Sequence, residues 1–336
     1  MRRVLIVKTS SMGDVIHTLP ALTDAKAACP DIEFDWAVEE SFAEIPAWHP
    51  AVSEVIPVAI RRWRKNLFQT LGSNEWRQFR NTIKRHHYDL VIDAQGLLKS
   101  AWLCRMIKAP SAGYDKHSVR ERLASLAYRH TYPVSKELHA VERIRELFAQ
   151  ALSYKKPDNK GQYGLYRERF CSATPESDNV VFLHGTTRAD KHYPDIYWKQ
   201  LAEQLRDQGY RVRLPWGNDA ERQRARNIAK GLDNVEVLPR LNLFGVAGVL
   251  AQTNAVVAVD TGLGHLSAAL NIPTISLYGP TDPGLIGAYG ENQIHLCAKD
   301  MPECQVETDP RVFAPLTPSE VQQRLTPLLD SSTPCR

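Results

Sequence analysis

Apolar residues along this chain fall into short runs that alternate with stretches of helical period. Val4–Val7, Ile32–Val38, Glu54–Val58, Leu90–Asp93, Val180–His184, Arg211–Leu214, Val235–Leu238, Ala255–Val259 and Thr274–Leu277 read as strands. Between them, Asn74–His86, His139–Tyr154, Tyr197–Gln208 and Asp219–Gly231 carry the amphipathic pattern of helices with one buried face. Strand–helix alternation predicts parallel sheets wound with helices. The pattern lapses over 154–179, where "YKKPDNKGQYGLYRERFCSATPESDN" is polar and aperiodic and reads as an interdomain linker. Each half then opens on its own apolar strand, followed by a polar turn, "KTSSMGD" in one and "HGTTRADK" in the other. The expected fold is α/β, with two Rossmann-like domains facing across a cleft. Both turns then fall at the C-terminal ends of strands, where open α/β sheets bind ligands. The expected limits are residues 1–160 and 175–312. Residues 313–336 form a final helix and tail, in which "LTPSEVQQRLTPLL" opens on a possible capping box.

A length of 336 residues agrees with two domains. The net charge of +4 is too small to mark a nucleic-acid binder by itself, though it allows a local basic patch. Six cysteines show no CxxC and no zinc-type spacing, so scattered thiols and a reducing cytoplasm are expected. The apolar run after "MRR" is too short for a signal peptide, and no stretch is long enough to span a bilayer.

The most informative chemistry lies in "AVVAVDTGLGHLSAALNIPTISLYGPTDP", from Ala255 to Pro283. A buried strand delivers Asp260 and Thr261. Gly262 and Gly264 then leave room at the start of a helix, whose free N–H groups and dipole favour an anion such as a diphosphate. Asp260, a carboxylate, suits sugar hydroxyls, and His265 sits about one turn into the helix. Taken alone, Asp-Thr-Gly is equally a helix cap and a tight turn. The strand–loop–helix–strand context favours a nucleotide site. Thr186 and Thr187 follow another strand, and Lys191 adds a mobile ammonium suited to phosphate; the alternative is a capped loop with a solvated lysine. Glu221 opens a helix after Arg211–Leu214, a place for a ribose-binding carboxylate or for a simple partner of the helix dipole. There is no GxGxxG, Walker loop, HExxH or DxD. Without DxD, charge on a diphosphate leaving group falls to Lys191, hydroxyls and helix N–H groups.

The first half poses two further questions. Asp14 stands alone where a strand turns into a helix, as a helix cap or as something chemical. "IRRWRK" places Arg61, Arg62, Arg64 and Lys65 around Trp63. It is either a solvated loop or a surface for nucleic acid, a membrane or an acidic glycolipid. The small net charge and the lack of an aromatic series argue against nucleic acid.

"VDTGLGHLSAAL", "YGPTDP", "HGTTRADKHYP" and "VLIVKTSSMGDVIHTLPAL" together resemble the lipopolysaccharide heptosyltransferases. The resemblance extends through "FDWAVEE" (34–40), "VIPVAIRRWRK" (55–65), "VIDAQGLLKSA" (91–101) and "HAVERIRELFA" (139–149), and so covers essentially the whole chain. It implies the GT-B fold and an inverting, metal-independent glycosyltransferase needing no cofactor. The implied donor is ADP-L-glycero-β-D-manno-heptose and the implied acceptor is the Kdo of Kdo2-lipid A, in lipopolysaccharide inner-core biosynthesis. By this resemblance Asp14 is the catalytic base. Donor contacts fall on Thr186, Thr187, Lys191, Glu221, Asp260, Thr261, Gly262 and His265, with Leu241 packing on adenine. Thr9, Ser10 and Ser11 are placed to hold the acceptor. Arg61, Arg62, Arg64, Lys65 and Arg120 match its carboxylate and phosphates, and would give transient docking on the cytoplasmic face of the inner membrane. Rival readings are a related enzyme acting on a heptose acceptor, and an epimerase or hydrolase on the same fold.

Overall fold

The structure is a computed structural model that describes residues 2–63, 65, 67–171, 178–302 and 307–331. The chain divides into two compact units, with the boundary between Gly164 and Leu165. In the first unit, β1 (Arg2–Val7), β2 (Ile32–Glu39), β3 (Val52–Val58), β4 (Leu90–Asp93), β5 (Ser111–Tyr114) and β6 (His130–Tyr132) form a parallel sheet. Its order is β3-β2-β1-β4-β5-β6. In the second unit, β7 (Asn179–Leu183), β8 (Arg211–Leu214), β9 (Val235–Val237), β10 (Ala255–Val259), β11 (Thr274–Tyr278) and β12 (Gln293–Cys297) repeat this plan. Their order is β12-β11-β10-β7-β8-β9. In each unit the first strand therefore lies between the second and the fourth, and the strand order reverses there. Val7 stands opposite Ala37 and Asp93, and Leu183 opposite Ala258, so the C-terminal strand ends flanking each reversal lie level.

The central strands are buried on both faces, as helices on both sides of a parallel sheet require; Val4–Val7 and Ala255–Val259 are essentially inaccessible. The helix Asn74–Arg85 shows how the sequence period becomes packing. Ser73 accepts a hydrogen bond from Trp76 N at 3.1 Å. Trp76, Phe79 and Ile83 then turn one face onto the sheet of the first unit. In the second unit, Tyr193 and Tyr197 donate to the carbonyls of Leu316 and Ala314 at 2.7 and 3.1 Å. That pins the approach to the helix Pro318–Ser331, whose Val321, Leu325 and Leu329 complete the core.

Three expectations change. β5, β6 and β12 were not evident from periodicity: "SAGY" carries small residues that form strands weakly, "HTY" is only three residues long, and "QIHLC" is only partly buried. The stretch expected as a linker is not a free connector where it is described. Arg145, fully buried on the helix Ala140–Leu152, donates to Asp24 Oδ2 (2.6 Å), Glu142 Oε1 (2.7 Å) and the Asn159 carbonyl (2.9 Å). Residues before the boundary are thus held on the first unit. Beyond it, Arg167 donates to the carbonyls of Ala251 and Thr253 at 2.6 and 3.1 Å, which holds the chain to the second. The thiols are also not uniform: Cys29, Cys104 and Cys297 are free, whereas Cys171 is disulfide-bonded. Among the described residues no helix is long and apolar enough to cross a membrane.

Candidate functional site

Each unit gathers polar side chains at its strand reversal. In the first, β1 is followed by Lys8, a lysine buried with its ammonium 3.1 Å from the Ala94 carbonyl and 3.3 Å from Asp14 Oδ1. Asp14 lies in the first turn of the short helix Met12–Ile16. Its Oδ2 accepts from Ser11 N (2.9 Å) and Ser11 Oγ (3.1 Å). One carboxylate oxygen therefore closes the helix cap, and the other faces an ammonium. Burial opposes ionisation of Asp14. Lys8, the Ser11 N–H, His17 and Arg120 together outweigh it and hold the carboxyl well below the usual carboxylate range.

The loop that carries this pair is clamped from β4. Gln95 Oε1 accepts from Thr9 N (2.7 Å) and Thr9 Oγ1 (2.8 Å), while its Nε2 donates to the Ser10 carbonyl at 2.8 Å. Asp93 holds Gln95 in turn, accepting from Gln95 N (2.8 Å), Gly96 N (3.0 Å) and Tyr128 Oη (2.7 Å). This changes the expected roles of the hydroxyls. Thr9 is fully buried with its hydroxyl on Gln95, so it shapes the loop and does not face an acceptor. Ser10 is buried and receives a bond from Lys99 Nζ at 3.2 Å. Ser11 is exposed, with its hydroxyl directed at Asp14.

In the second unit, Lys191 Nζ lies 2.6 Å from Asp260 Oδ2, and Thr281 Oγ1 donates to the same oxygen at 3.0 Å. Thr186 Oγ1 donates to the Asp260 carbonyl at 3.1 Å. The loop after β7, the end of β10 and the segment after β11 therefore converge on one carboxylate. Beyond Asp260, Thr261 caps the helix Gly262–Ala269 without a side-chain bond, and His265 is buried on that helix. Glu221 accepts from Gly217 N at 2.7 Å, and its carboxyl lies against Gly185, where an added Cβ would come within 2.9 Å of its Cδ. Thr187 is exposed, and half-buried Leu241 sits just before the helix Leu243–Ala251.

The basic stretch is only partly available. Arg62 is bidentate to Glu75 (2.7 and 2.8 Å) and also reaches Glu40 at 3.1 Å. Trp63 is buried against Trp76 and Phe79, so the aromatic belongs to the core. Arg61 and Lys65 are exposed; Arg64 lies outside the described residues. Arg120 is exposed and near enough to Asp14 to favour its charged form.

Lys8, Gln95, Asp93 and Thr281 are the residues that sequence reasoning missed. A lysine directly after a doubly buried strand was the available signal for Lys8. For Gln95 and Thr281 the pairing exists only once distant strands meet. Asp35, Glu54 and His86 form a described trio with metal-ligand spacing. Arg3 and Tyr88 already hold Asp35, and Arg85 and His86 hold Glu54.

Solved structures share this architecture over nearly the whole chain. "E. coli heptosyltransferase WaaC with ADP" superposes with a TM-score of 0.90 at 50% identity, covering 97% of this chain and 99% of that one. Its counterpart "with ADP-2-deoxy-2-fluoro heptose" gives 0.85 at 49% identity, with coverage of 97% and 99%. Two doubly wound sheets, each with a polar cluster at its strand reversal, together with these structural relatives place the chain by class among the glycosyltransferases of the GT-B fold. Residues 76–312 match the family described as glycosyltransferase family 9 (heptosyltransferase). Lipopolysaccharide heptosyltransferase 1 of Pseudomonas aeruginosa is 64% identical over 295 residues, 88% of this chain and 83% of the relative. Its namesake in Escherichia coli K12 is 55% identical over 294 residues, 87% and 92% of the two chains. The chain belongs to glycosyltransferase family 9, the heptosyltransferases.

Proposed function

We propose that this enzyme transfers L-glycero-D-manno-heptose from ADP-L-glycero-β-D-manno-heptose to a Kdo hydroxyl of Kdo2-lipid A, with inversion and without a metal ion. The observation that carries the reading is the Asp14 carboxylate, fixed beside Lys8 and Ser11 at the strand reversal of the first unit. The acceptor oxygen forms a bond to the anomeric carbon as the bond from that carbon to the phosphate oxygen of ADP breaks. The electron pair leaves with ADP, the hydroxyl proton passes to Asp14, and one displacement inverts the centre. An ionised carboxylate is a weak base toward a resting alcohol, and it becomes effective because the proton turns acidic only as the new bond forms.

In the second unit, an ammonium has three donors, so Lys191 can keep Asp260 and still meet phosphate oxygens. The start of the helix at Gly262 adds N–H groups for the same charge. The described bonds to the Asp260 side chain fall on Oδ2, which leaves Oδ1 for a sugar hydroxyl. Glu221 takes the ribose and Leu241 the adenine. Exposed Arg61, Lys65 and Arg120 take the anionic acceptor. Names of the relatives that share half or more of their residues with this chain support the choice of a lipopolysaccharide acceptor, and the ligands named with the solved relatives support the donor. Because lipid A is membrane-bound, the enzyme works at the cytoplasmic face of the inner membrane, peripherally attached.

The test is incubation with ADP-heptose and de-acylated Kdo-lipid A in EDTA, with mass detection of products. A product one heptose heavier, at a rate unchanged by EDTA, is expected. Loss of transfer on chelation would overturn the metal-free step, and heptose added only to a heptosylated acceptor would overturn the choice of Kdo.

A further inference from the structure

The first unit exposes four large apolar side chains in one region: Leu98 (50%), Trp102 (47%), Leu123 (65%) and Leu126 (76%). Leu98 and Trp102 lie four residues apart on the helix Leu98–Arg105 and share a face. Leu123 and Leu126 lie three apart in the short 3₁₀ segment Arg122–Ala127, where side chains at that spacing eclipse. The two segments pack together. Glu121 ties them, accepting from Leu98 N at 2.6 Å while its own N–H donates to the Gly96 carbonyl at 3.1 Å. The opposite faces are already buried, through Leu103 and Cys104 on the helix and Ala124 and Ser125 in the turn. The core therefore does not need the exposed leucines. Trp102 is held in place by stacking on Trp76, with ring centroids 5.6 Å apart.

The charge along this part of the chain is one-sided. Residues 98–130 hold seven Lys or Arg against two Asp or Glu, a net +5 in a chain whose total is +4. The rest of the chain is thus nearly neutral. Arg105, Lys108, Arg122 and Arg129 are exposed. Both acids are engaged by backbone N–H groups, Glu121 as above and Asp115 by His117 and Ser118 at 3.1 and 2.8 Å. Apolar side chains framed by cations are the make-up of a surface that enters the headgroup layer of an anionic leaflet. The region also adjoins the Asp14 loop, through Lys99 on Ser10 and through Arg120.

We propose that the face formed by Leu98, Trp102, Leu123 and Leu126, with its frame of cations, is where the enzyme docks on an anionic lipid surface. The choice of lipid over protein rests on the proposed lipid-linked acceptor and on the charge. The test is co-sedimentation of the full-length protein with vesicles of phosphatidylethanolamine and phosphatidylglycerol, compared with phosphatidylcholine alone. The parent should partition onto the anionic vesicles only. Leu123→Ser with Leu126→Ser should lower that partitioning about tenfold or more, since each loses an apolar group that would enter the bilayer. Arg105→Gln with Arg122→Gln should lower it at low salt and leave little difference at high salt. All of these side chains are exposed, so melting temperature and turnover on de-acylated Kdo-lipid A should stay within about twofold of the parent for both variants. Equal partitioning of the leucine variant and the parent, or no partitioning by the parent, would overturn the proposal. So would loss of self-association in the leucine variant with vesicle binding intact, which would mark a protein interface. Vesicle binding tests the surface and transfer to the soluble acceptor tests the reaction, so the two failures are distinct.

Discussion

Asp14 does two things with its two oxygens, and they can be separated. Oδ2 caps the helix through Ser11, while Oδ1 faces the Lys8 ammonium. Asparagine keeps an oxygen able to accept the cap but loses the charge and the basicity. Asp14→Asn should therefore lower kcat by about 10²–10⁴-fold. ADP affinity, measured calorimetrically, should hardly change, because the residues proposed to hold the donor lie in the second unit. Near-normal turnover would remove Asp14 from the mechanism. Lys8 is the largest of the interactions that keep Asp14 ionised against its burial. With Lys8→Met the carboxyl should titrate at higher pH, and a protonated Asp14 cannot accept the proton. The acid limb of the kcat/KM profile should move upward in pH; a uniform loss at every pH would mean that Lys8 only holds the fold.

At the scale of elements, the site depends on how closely strand ends approach their neighbours. Gly185, just after β7, leaves room for the Glu221 carboxyl. In Gly185→Ala the new Cβ meets the far end of a flexible side chain, so the fold should lose no more than about 1 kcal/mol. Glu221 must move, however, and the donor KM should rise several-fold while the acceptor KM stays level in steady-state kinetics. Arg145 is the opposite case. It is fully buried and binds Asp24, Glu142 and the Asn159 carbonyl together. Arg145→Ala would strand Asp24 without its cation, at a cost of about 3–5 kcal/mol, seen in denaturant unfolding of the first unit. The same contrast explains what was legible. "VLIV" and "AVVAV" declare themselves as strands because both faces must be apolar. "SAGY" becomes a strand only beside β4, and Gly113 is there because the Tyr128 ring lies within 2.4 Å of where a Cβ would be.

The whole molecule carries one buried neutral histidine of interest in each unit. Burial pushes the His49 pKa down to about 4. Burial, aided by Arg224 and His192, does the same to His184, also to about 4. His49 Nδ1 accepts from Ala51 N at 3.1 Å, which only the unprotonated nitrogen can do. Unfolded, both rings protonate near 6.5. Between that pH and about 4 the unfolded chain therefore binds more protons than the folded one. Their contribution to stability is complete above about pH 6.5 and is lost as the pH falls toward 4. Melting temperature should drop across this window, with proton uptake on unfolding measurable near pH 5 by calorimetry in buffers of different ionisation enthalpy. Unfolding without proton uptake there would contradict the assignment.

From the sequence alone came the strand–helix alternation, the two-unit plan, and Asp14, Lys191, Glu221 and Asp260 as polar residues in the segments that follow strands. Those readings are local: hydrophobic period, cap chemistry and turn position are written within a few neighbouring residues. Tertiary structure decided which of these residues touch and what they touch. Gln95, just past the end of β4, clamps the Thr9–Ser10 loop from 85 to 86 residues away in sequence. Thr281 joins Lys191 on Asp260, Arg62 turns to Glu75, and Thr9 turns inward. Nothing in the order of residues carries a distance across a sheet. Strand order and register create those contacts, and they place the Lys8 ammonium beside the Asp14 carboxylate.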